Sequence, residues 1–374
     1  MRVAYLLFDP GIPVGGTKGA SVHVAEFLAA VVALGHEVHL VATNVVGEVP
    51  AGAVLHHIAL KGLSKSEASK LAAAREFAGA ALEVLAAIRP DLICERLSLF
   101  FDSGGALAKA VGARRVLEIN APIVRERLDN FGLEMKDEAI AAERGAIADS
   151  DAVVVSQVLA SYARENGARS VRVVANGVDP SRFDCAKRAP MASVSSNVPV
   201  VGFVGSLKPW HGVENLVLAS ALLVSWGMTH RLLIIGDGPQ SSRIAEVVSQ
   251  LGAPEHIELV GAVPMAQIPE HLASMDIGVA PYRPSSDFYF SPLKVLEYMA
   301  AGLAVVATDA PSIRSLVADT GVLVKDPTPT SLAAAIGELL VQSDLRTRMG
   351  VAARDRIERR FAWITVAKSI LRAP

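Results

Sequence analysis

The chain has 374 residues, and its 36 lysines and arginines nearly balance its 38 aspartates and glutamates, so the formal net charge is −2. This balance excludes a nucleic-acid binder that works through bulk basic charge, and it also excludes an acidic disordered protein. At about 150 residues for each domain, the length predicts two domains, each with a full hydrophobic core.

The sequence predicts no membrane span, because no run of about 18 apolar residues is free of charged side chains. The apolar run near the N-terminus is too short for a signal peptide and ends at Asp9-Pro10-Gly11. Two cysteines, Cys94 and Cys185, argue against a disulfide framework and are typical of a reducing compartment. We therefore expect a cytoplasmic protein.

In the first half of the chain, short apolar runs alternate with helical patterns. Arg2–Phe8 predicts a buried strand, a glycine-rich loop follows at 11–19, and the next helix repeats apolar residues at the i, i+3, i+4, i+7 spacing. The later predicted segments are a long helix at Ser64–Ile88 and strands at Val38–Ala42, Leu92–Cys94, Arg115–Ile119 and Ala152–Ser156. This alternation predicts a parallel sheet with right-handed crossovers, covered on both faces.

Residues 185–199 interrupt the alternation, because Ser, Ala and Pro dominate there and no apolar period remains. We predict a linker at 185–199, an N-terminal domain at 1–184 and a C-terminal domain at 200–357. The alternation of strands and helices begins again at Val200–Val204. The predicted fold class is therefore α/β, with two Rossmann-like, doubly wound parallel-sheet domains facing across a cleft. Ligands of such sheets bind at the carboxyl ends of the strands.

The glycine-rich loop at 11–19 misses two known phosphate-binding patterns. Thr17 precedes Lys18 with no Ser or Thr after the lysine, and the Gly-x-Gly-x-x-Gly spacing is absent. Gly15 and Gly16 nevertheless allow an anion to approach backbone N–H groups at a helix N-terminus. A plain strand-to-helix turn is the alternative interpretation.

The loop Gly205–Gly212 joins a predicted strand to a helix and contains Lys208 and His211. Cationic or hydrogen-bond donor groups beside a helix N-terminus suit a diphosphate. A tight turn, Gly236-Asp237-Gly238-Pro239, follows the next predicted strand.

Ser291-Pro292 predicts a helix start, with proline at the first helical position. Such a start leaves backbone N–H groups free to face a ligand, and Lys294 lies within the first turn. Glu297 lies deeper in the same helix, where a buried carboxylate needs a partner. Paired sugar hydroxyls would satisfy it, and a salt bridge to Lys294 is the alternative.

At these residues the sequence resembles the retaining glycosyltransferases of family 4, which have the GT-B fold, and the resemblance covers nearly the whole chain. Its elements are the Gly15-Gly16 loop with Leu34–Val38, the Val173–Phe183 segment, Gly205–Gly212, Gly236–Pro239, Ile257–Gly261 with Asp276–Pro281, and the helix of Glu297. The segment Phe361-Ala362-Trp363 is similar to the start of the family's last helix, which packs back on the N-terminal domain, here at about 358–374.

The resemblance implies a nucleotide-diphosphate sugar donor held mainly by the C-terminal domain, with no metal ion and no cofactor. The resemblance also implies that Gly16 approaches the donor phosphate and that Glu297 binds the ribose hydroxyls. The predicted donor-binding residues are Gly15, Gly16, Gly205, Ser206, Asp237, Gly238, Ser291, Pro292, Leu293 and Lys294. The chain departs from the family in having Tyr289 at the first position of the paired glutamates, and Ser206 and His211 where Arg and Lys are frequent.

We predict retaining transfer of a sugar to an acceptor hydroxyl, with Lys208, His211 if protonated, and Glu297 as the catalytic residues. Positive groups on the leaving phosphates stabilise the charge that develops in the transition state, in place of a metal. Asp149-Ser150-Asp151 matches a metal-binding Asp-x-Asp pattern, but it leads directly into a strand.

The acceptor is expected on the N-terminal side, near Asn120, and would be a sugar, a glycoside or a lipid-linked glycan. Basic residues at the start of the Ser64–Ile88 helix allow peripheral contact with an anionic membrane at its inner face, although a solvated helix face is the simpler explanation.

Two other functions remain open from the sequence. A nucleotide-sugar epimerase or a sugar phosphorylase on the same fold would turn over without a second sugar acceptor, or with free phosphate. A catalytically weak donor-binding subunit is suggested by Tyr289 at the position where glutamate is usual.

Overall fold

The structure, a computed structural model, describes residues 1–16, 18–187, 198–252, 254–284 and 288–372. It divides into two compact units. The first unit comprises Met1–Gly177, Tyr289–Ser291 and Trp363–Pro374, and the second comprises Val178–Phe288 and Pro292–Ala362. Most of the predicted linker, 188–197, lies outside the described residues.

The first unit is built on a parallel sheet. Its strands are β1 (Arg2–Leu7), β2 (Glu37–Ala42), β3 (Ala53–His57), β4 (Leu92–Arg96), β5 (Arg114–Ile119), β6 (Asp151–Val154) and β7 (Ser170–Val173). They form seven strands in the order β3-β2-β1-β4-β5-β6-β7. β1 and β4 are buried along almost their whole length, as expected for strands covered on both faces.

Helices cover this sheet on both faces. They are α1 (Gly19–Ala33), α2 (Glu67–Ile88), α3 (Gly104–Val111), α4 (Ile123–Asn130), α5 (Lys136–Ile147) and α6 (Gln157–Glu165). The predicted apolar face of α1, including Phe27 and Leu28, is fully buried. The prediction that α2 begins at Ser64 is wrong, because the Ser66 hydroxyl accepts a hydrogen bond from the Ser69 backbone N–H at 3.3 Å and caps the helix there.

The second unit has the same architecture. Its strands are β8 (Val200–Val204), β9 (Arg231–Ile235), β10 (Ile257–Gly261), β11 (Ile277–Ala280), β12 (Ala304–Thr308) and β13 (Gly321–Val324). They form a six-stranded parallel sheet in the order β10-β9-β8-β11-β12-β13. Its helices are α7 (Val213–Ser225), α8 (Ser241–Gln250), α9 (Ile268–Ala273), α10 (Leu293–Ala300), α11 (Pro311–Val317), α12 (Pro329–Val341) and α13 (Ser343–Arg356).

The last helix, α14 (Trp363–Leu371), belongs to the first unit, where it packs against α1. The indole of Trp363 meets the ring of His23 edge-on, with 5.0 Å between centroids. Trp363, Val366 and Ile370 join the buried core beside β1. The final segment of the chain therefore completes the first unit, although the second unit precedes it in sequence.

The two α/β units confirm the predicted fold class. Their boundary falls at Gly177, so 178–184 belong to the second unit rather than to the N-terminal domain predicted at 1–184. The reason is local, because a 3-10 helix at Pro180–Lys187 packs against α9. In each sheet the strand order reverses next to β1 or β8, and ligands of doubly wound sheets bind at the carboxyl ends beside such a reversal.

Candidate active site

Two loops at the carboxyl ends of β8 and β9 interlock through their backbones. The Gly205 N–H donates to the Ile235 carbonyl at 2.9 Å, and the Leu207 N–H donates to the Asp237 carbonyl at 2.9 Å. The Gln240 N–H returns a bond to the Leu207 carbonyl at 3.0 Å. The predicted segments Gly205–Gly212 and Gly236–Pro239 are therefore joined by backbone hydrogen bonds into one surface of the second unit.

Glycine is required at two points of this surface. A Cβ at Gly236, whose φ is +138°, would lie 2.0 Å from the Gly205 carbonyl oxygen, and a Cβ at Gly238 would lie 2.7 Å from the Leu207 carbonyl oxygen. These distances are far below van der Waals contact, so neither position tolerates a side chain without movement of the backbone. Close packing of the two loops thus explains the glycines at 236 and 238.

Lys294, in the first turn of α10, is a buried cation. Its Nζ lies 3.9 Å from the centroid of the Phe203 ring and 5.2 Å from that of Tyr282, within the range of cation–π attraction. A Cβ on Gly205 would come within 2.8 Å of Nζ, so the absent side chain makes room for the ammonium group. Burial lowers the pKa of Lys294 to about 7, although the charge of Glu297 opposes the shift.

The sequence assigned His211 a stabilising charge only if its imidazole is protonated, and its surroundings in the structure favour the neutral form. Burial, and then the positive charges of Lys294 and Lys208, lower its pKa to about 4. Its Nδ1 makes a short contact with the Ser206 carbonyl oxygen, which requires a proton on Nδ1 and leaves Nε2 as an acceptor. His211 therefore shapes the loop and offers a lone pair rather than a positive charge.

Lys208 is half-buried on the same loop, with its Nζ 5.9 Å from the centroid of the Trp210 ring. The side chain of Trp210 is 48% exposed, so part of its ring is open to solvent beside Lys208. The sequence reasoning gave Trp210 no role, although its place between Lys208 and His211 was a usable signal.

Asp237 is already engaged within its own turn. Its carboxylate accepts hydrogen bonds from the Gly238 N–H at 2.7 Å and from the Ser241 hydroxyl at the start of α8. The Ser241 hydroxyl and the Gly238 N–H lower the pKa of Asp237. This geometry gives Asp237 a structural task at the turn, beside the donor-binding role predicted for it.

The start of α10 differs in detail from the sequence prediction. The helix begins at Leu293, so Pro292 is the capping residue and not the first helical residue, with an extended ψ of 111°. Glu297 is half-buried one turn further along. Ser291 belongs to the first unit, where its hydroxyl and carbonyl accept hydrogen bonds from the backbone N–H and the side-chain amide of Asn176 at 3.2 and 2.9 Å.

In the first unit, the glycine loop after β1 folds against its own neighbours. Gly15 has a φ of +75°, and a Cβ there would lie 2.5 Å from the Cα of Gly47. The Gly16 N–H donates to the Pro13 carbonyl at 3.1 Å, so this amide is already bonded. Thr17 lies outside the described residues.

Asn120, predicted on the acceptor side, lines a cavity of about 290 Å³ in the first unit. The cavity lies at the carboxyl ends of β1, β4 and β5, beside the reversal of strand order. Its polar lining side chains are Asp9, Arg96, Asn120, Glu126 and Arg127.

Asp151, the second acid of the Asp-x-Asp pattern, is bound by Arg169 and by the Ser170 hydroxyl at the start of β7. Among the residues that the structure describes, no cluster of three or more His, Cys, Asp or Glu side chains could hold a metal ion. Within the same residues, no helix combines the length and the apolar character needed to span a bilayer.

Two family descriptions match the chain. "Glycosyl transferases group 1" matches 198–342, and "Glycosyltransferase Family 4" matches 17–182. Together the two matches cover most of the sequence, one in each half. The chain therefore belongs to the group 1, family 4 glycosyltransferases, as the sequence motifs predicted.

Curated relatives are similar over part of their length. The chain is 31% identical to the alpha-maltose-1-phosphate synthase of Mycolicibacterium smegmatis over 61% of this chain and 64% of the relative. It is 28% identical to a GDP-mannose-dependent phosphatidylinositol monomannoside mannosyltransferase of Mycobacterium tuberculosis over 54% of this chain and 55% of the relative. The chain thus spans less than two thirds of the length of these relatives.

Solved structures share the fold over almost the entire chain. Sucrose-phosphate synthase of Thermosynechococcus elongatus superposes with a TM-score of 0.74 at 18% identity, covering 99% of this chain and 97% of the other. The Anabaena protein HepE, solved in complex with UDP, gives a TM-score of 0.71 at 16% identity, covering 99% and 98%. At these identities the likeness shows the GT-B fold.

Proposed function

We propose that this protein is a retaining glycosyltransferase that moves a sugar from a nucleotide-diphosphate donor to an acceptor hydroxyl without a metal ion. The observation that carries the proposal is the pair of lysines beside His211: the Nζ of Lys294 lies 3.5 Å from the His211 Nδ1, and Lys208 is on the same loop as His211. Two cations beside backbone N–H groups at the carboxyl ends of parallel strands form a site for a pyrophosphate.

In the proposed complex, Lys208, Lys294 and the N–H groups at the start of α10 hold the two phosphates of the donor. Glu297 accepts hydrogen bonds from the ribose hydroxyls, and the exposed face of Trp210 offers a stacking surface for the base. The departing diphosphate gains negative charge as the glycosidic bond breaks, so the lysines stabilise the transition state more than the ground state.

The sugar keeps its anomeric configuration in this proposal because the acceptor hydroxyl attacks from the face that the diphosphate leaves. The leaving phosphate oxygen takes the proton of the acceptor hydroxyl. The anomeric carbon forms its new bond to the acceptor oxygen while its bond to the phosphate oxygen breaks, so no enzymic nucleophile is needed. The acceptor is assigned to the first unit, at the cavity beside Asn120.

The names of the relatives support a nucleotide-sugar donor. One mannosyltransferase is described as GDP-mannose-dependent, and HepE was solved with UDP-glucose. The acceptors named for relatives include D-inositol 3-phosphate and a phosphatidylinositol monomannoside. GDP-mannose and UDP-glucose both contain a pyrophosphate, whereas the base and the sugar differ.

A panel of UDP-, GDP- and ADP-sugars tests the proposed function in the presence of a chelator. We expect one donor to release its nucleoside diphosphate, and an acceptor to increase the rate with retention at the anomeric carbon. An epimerase would convert the donor without acceptor, and a phosphorylase would require free phosphate. Donor binding without any release would instead identify a binding subunit and contradict the proposal.

Donor affinity is expected to fall as the pH rises through about 7. Below its pKa of about 7, Lys294 is charged and attracts the pyrophosphate, and above it the free protein must first take up a proton. The limit of this effect is about tenfold in Kd for each pH unit above the pKa. Calorimetric titration of the preferred donor from about pH 6 to about pH 8.5 measures it.

The matched variant for this pH dependence is Lys294→Met, which keeps the length of the side chain without the charge. Its donor affinity should be weak at every pH and nearly flat across the range. If the donor Kd changes with pH equally in the wild type and in Lys294→Met, another group causes the pH dependence.

Glu297→Gln is expected to raise the Kd of the donor about tenfold, because a neutral amide loses the charge-assisted hydrogen bonds to two ribose hydroxyls. The 2′-deoxy form of the donor lacks one of these two hydroxyls, so the difference in affinity between wild type and variant should be smaller for it. The control is Glu270→Gln, which makes the same change on an exposed residue of α9. Unchanged donor binding in Glu297→Gln would remove the ribose role.

A further inference from the structure

Arg96, the last residue of β4, is a buried arginine whose charge is incompletely paired. The residue is 9% exposed, and its Nη1 has no hydrogen-bond partner among the described residues. A guanidinium has five N–H donors, and leaving one buried and unbonded is unfavourable. A buried donor without a partner is typical of a side chain that hydrogen-bonds to a ligand.

The carboxylate nearest to Arg96 in the sheet, that of Glu118, already has other partners. Glu118 lies beside Arg96 in the register of β4 and β5. It accepts a hydrogen bond from the Tyr5 hydroxyl at 2.6 Å, and the Nε2 of His23 lies 3.4 Å from the same oxygen. Arg96 has no carboxylate oxygen within 4 Å among the described residues, although its charge helps to lower the pKa of Glu118.

The two acids around the cavity have hydrogen-bond partners, whereas its second arginine, Arg127, is only partly paired. Asp9 accepts the Gly11 N–H at 2.7 Å, and Glu126 accepts a hydrogen bond from the Tyr289 hydroxyl. Arg127 lies 3.8 Å from Glu67 and stacks on Phe131, and its Nε, like the Nη1 of Arg96, is buried without a hydrogen-bond partner among the described residues. Both acids of the cavity are therefore committed to nearby donors, while the Nη1 of Arg96 is not.

We propose that this cavity binds the phosphate group of an anionic acceptor, and that Arg96 donates to the phosphate oxygens. The inference rests on the proposed function, because it names the class of the second substrate. Arginine suits phosphate because its planar N–H groups donate to two oxygens at once. Asn120, on the same wall, supplies an amide for a hydroxyl of the acceptor. A cavity of about 290 Å³ fits a phosphorylated sugar or polyol, or the head group of a phospholipid.

Calorimetric titration of acceptor analogues without donor tests the site. The probes are inorganic phosphate, glucose 6-phosphate, inositol 1-phosphate and the corresponding neutral glucose and inositol. We expect at least one phosphorylated polyol to bind at least tenfold more tightly than its neutral counterpart. We expect Arg96→Gln to abolish this preference. Vesicles containing phosphatidylinositol, compared with phosphatidylcholine vesicles, show whether the phosphate is that of a lipid or of a free sugar.

Two further variants keep the result readable. Arg164→Gln makes the same change on an exposed residue of α6 in the same unit and should retain the preference. Arg96→Lys keeps the charge but loses the two-oxygen geometry, so an intermediate preference is expected and serves if Arg96→Gln does not fold. Equal binding of charged and neutral probes, or a preference that survives both Arg96 variants, overturns the proposal.

The binding experiment separates this inference from the proposed function. Arg96-dependent phosphate binding without sugar transfer would contradict the enzyme activity while supporting the anion site. Transfer to neutral acceptors as efficient as transfer to phosphorylated ones would support the enzyme and overturn the anion site.

Discussion

Replacing Lys208 with alanine is expected to lower kcat for sugar transfer on the order of 10²-fold, which is the scale for loss of one electrostatic stabiliser of a transition state. The structure strengthens this expectation because the other predicted cation of the loop, His211, is not charged. His211 has a pKa of about 4 and is neutral, and Lys294, with a pKa of about 7, is charged in only about half of the free molecules at neutral pH. Lys208 is therefore assigned most of the charge that meets the leaving diphosphate.

Steady-state kinetics with the preferred donor measure this effect, and the division between kcat and KM is informative. A contact made mainly in the transition state lowers kcat and kcat/KM together, whereas a contact equal in both states raises KM alone. Lys208→Arg should recover part of kcat. Lys109→Ala, on an exposed residue of α3, should leave kcat and KM unchanged. If Lys208→Ala lowers kcat tenfold or less, Lys294 rather than Lys208 supplies most of the charge that stabilises the leaving diphosphate.

Gly236→Ala is expected to destabilise the second unit by about 3 kcal/mol or more and to abolish donor binding. Two costs combine, because a non-glycine residue at this φ is strained and the new Cβ meets the Gly205 carbonyl oxygen at 2.0 Å. Relief of the contact requires the two loops to separate, which would move Lys208 and His211.

The control for Gly236→Ala is Gly227→Ala, which has a φ of +77° but nothing within 4 Å of the new Cβ. It carries backbone strain alone and should cost about 1 kcal/mol. Calorimetric unfolding of the two variants and the wild type measures the difference. Equal unfolding temperatures for Gly236→Ala and Gly227→Ala would mean that the loops are not packed as the structure shows.

The order of strands and helices was largely predictable from sequence, because buried parallel strands are continuous apolar runs. The strands that the sequence did not reveal, β3, β7 and β13, each lie at an end of a sheet. End strands are covered less completely, and every residue of β3 and β7 is at least partly exposed, so their apolar signal is weak.

The loops of the candidate site could be predicted from the sequence, but the protonation and pairing of its side chains could not. Glycine spacing located Gly205–Gly212 and Gly236–Pro239 because close backbone packing requires glycine whatever surrounds it. The neutrality of His211 depends on burial and on Lys294, which is distant in sequence, so no local pattern reveals it. Arg96 was missed for a similar reason, since its unpaired Nη1 exists only once β5 and the cavity are in place.

The central claim is that the second unit binds a donor pyrophosphate through Lys208, Lys294 and nearby backbone N–H groups. A crystal structure grown with the nucleoside diphosphate of the preferred donor and a chelator tests it most directly. The claim predicts phosphate oxygens within hydrogen-bonding distance of both lysine ammonium groups, with the ribose at Glu297. A pyrophosphate bound elsewhere, or one that binds only when divalent metal is restored, would contradict it.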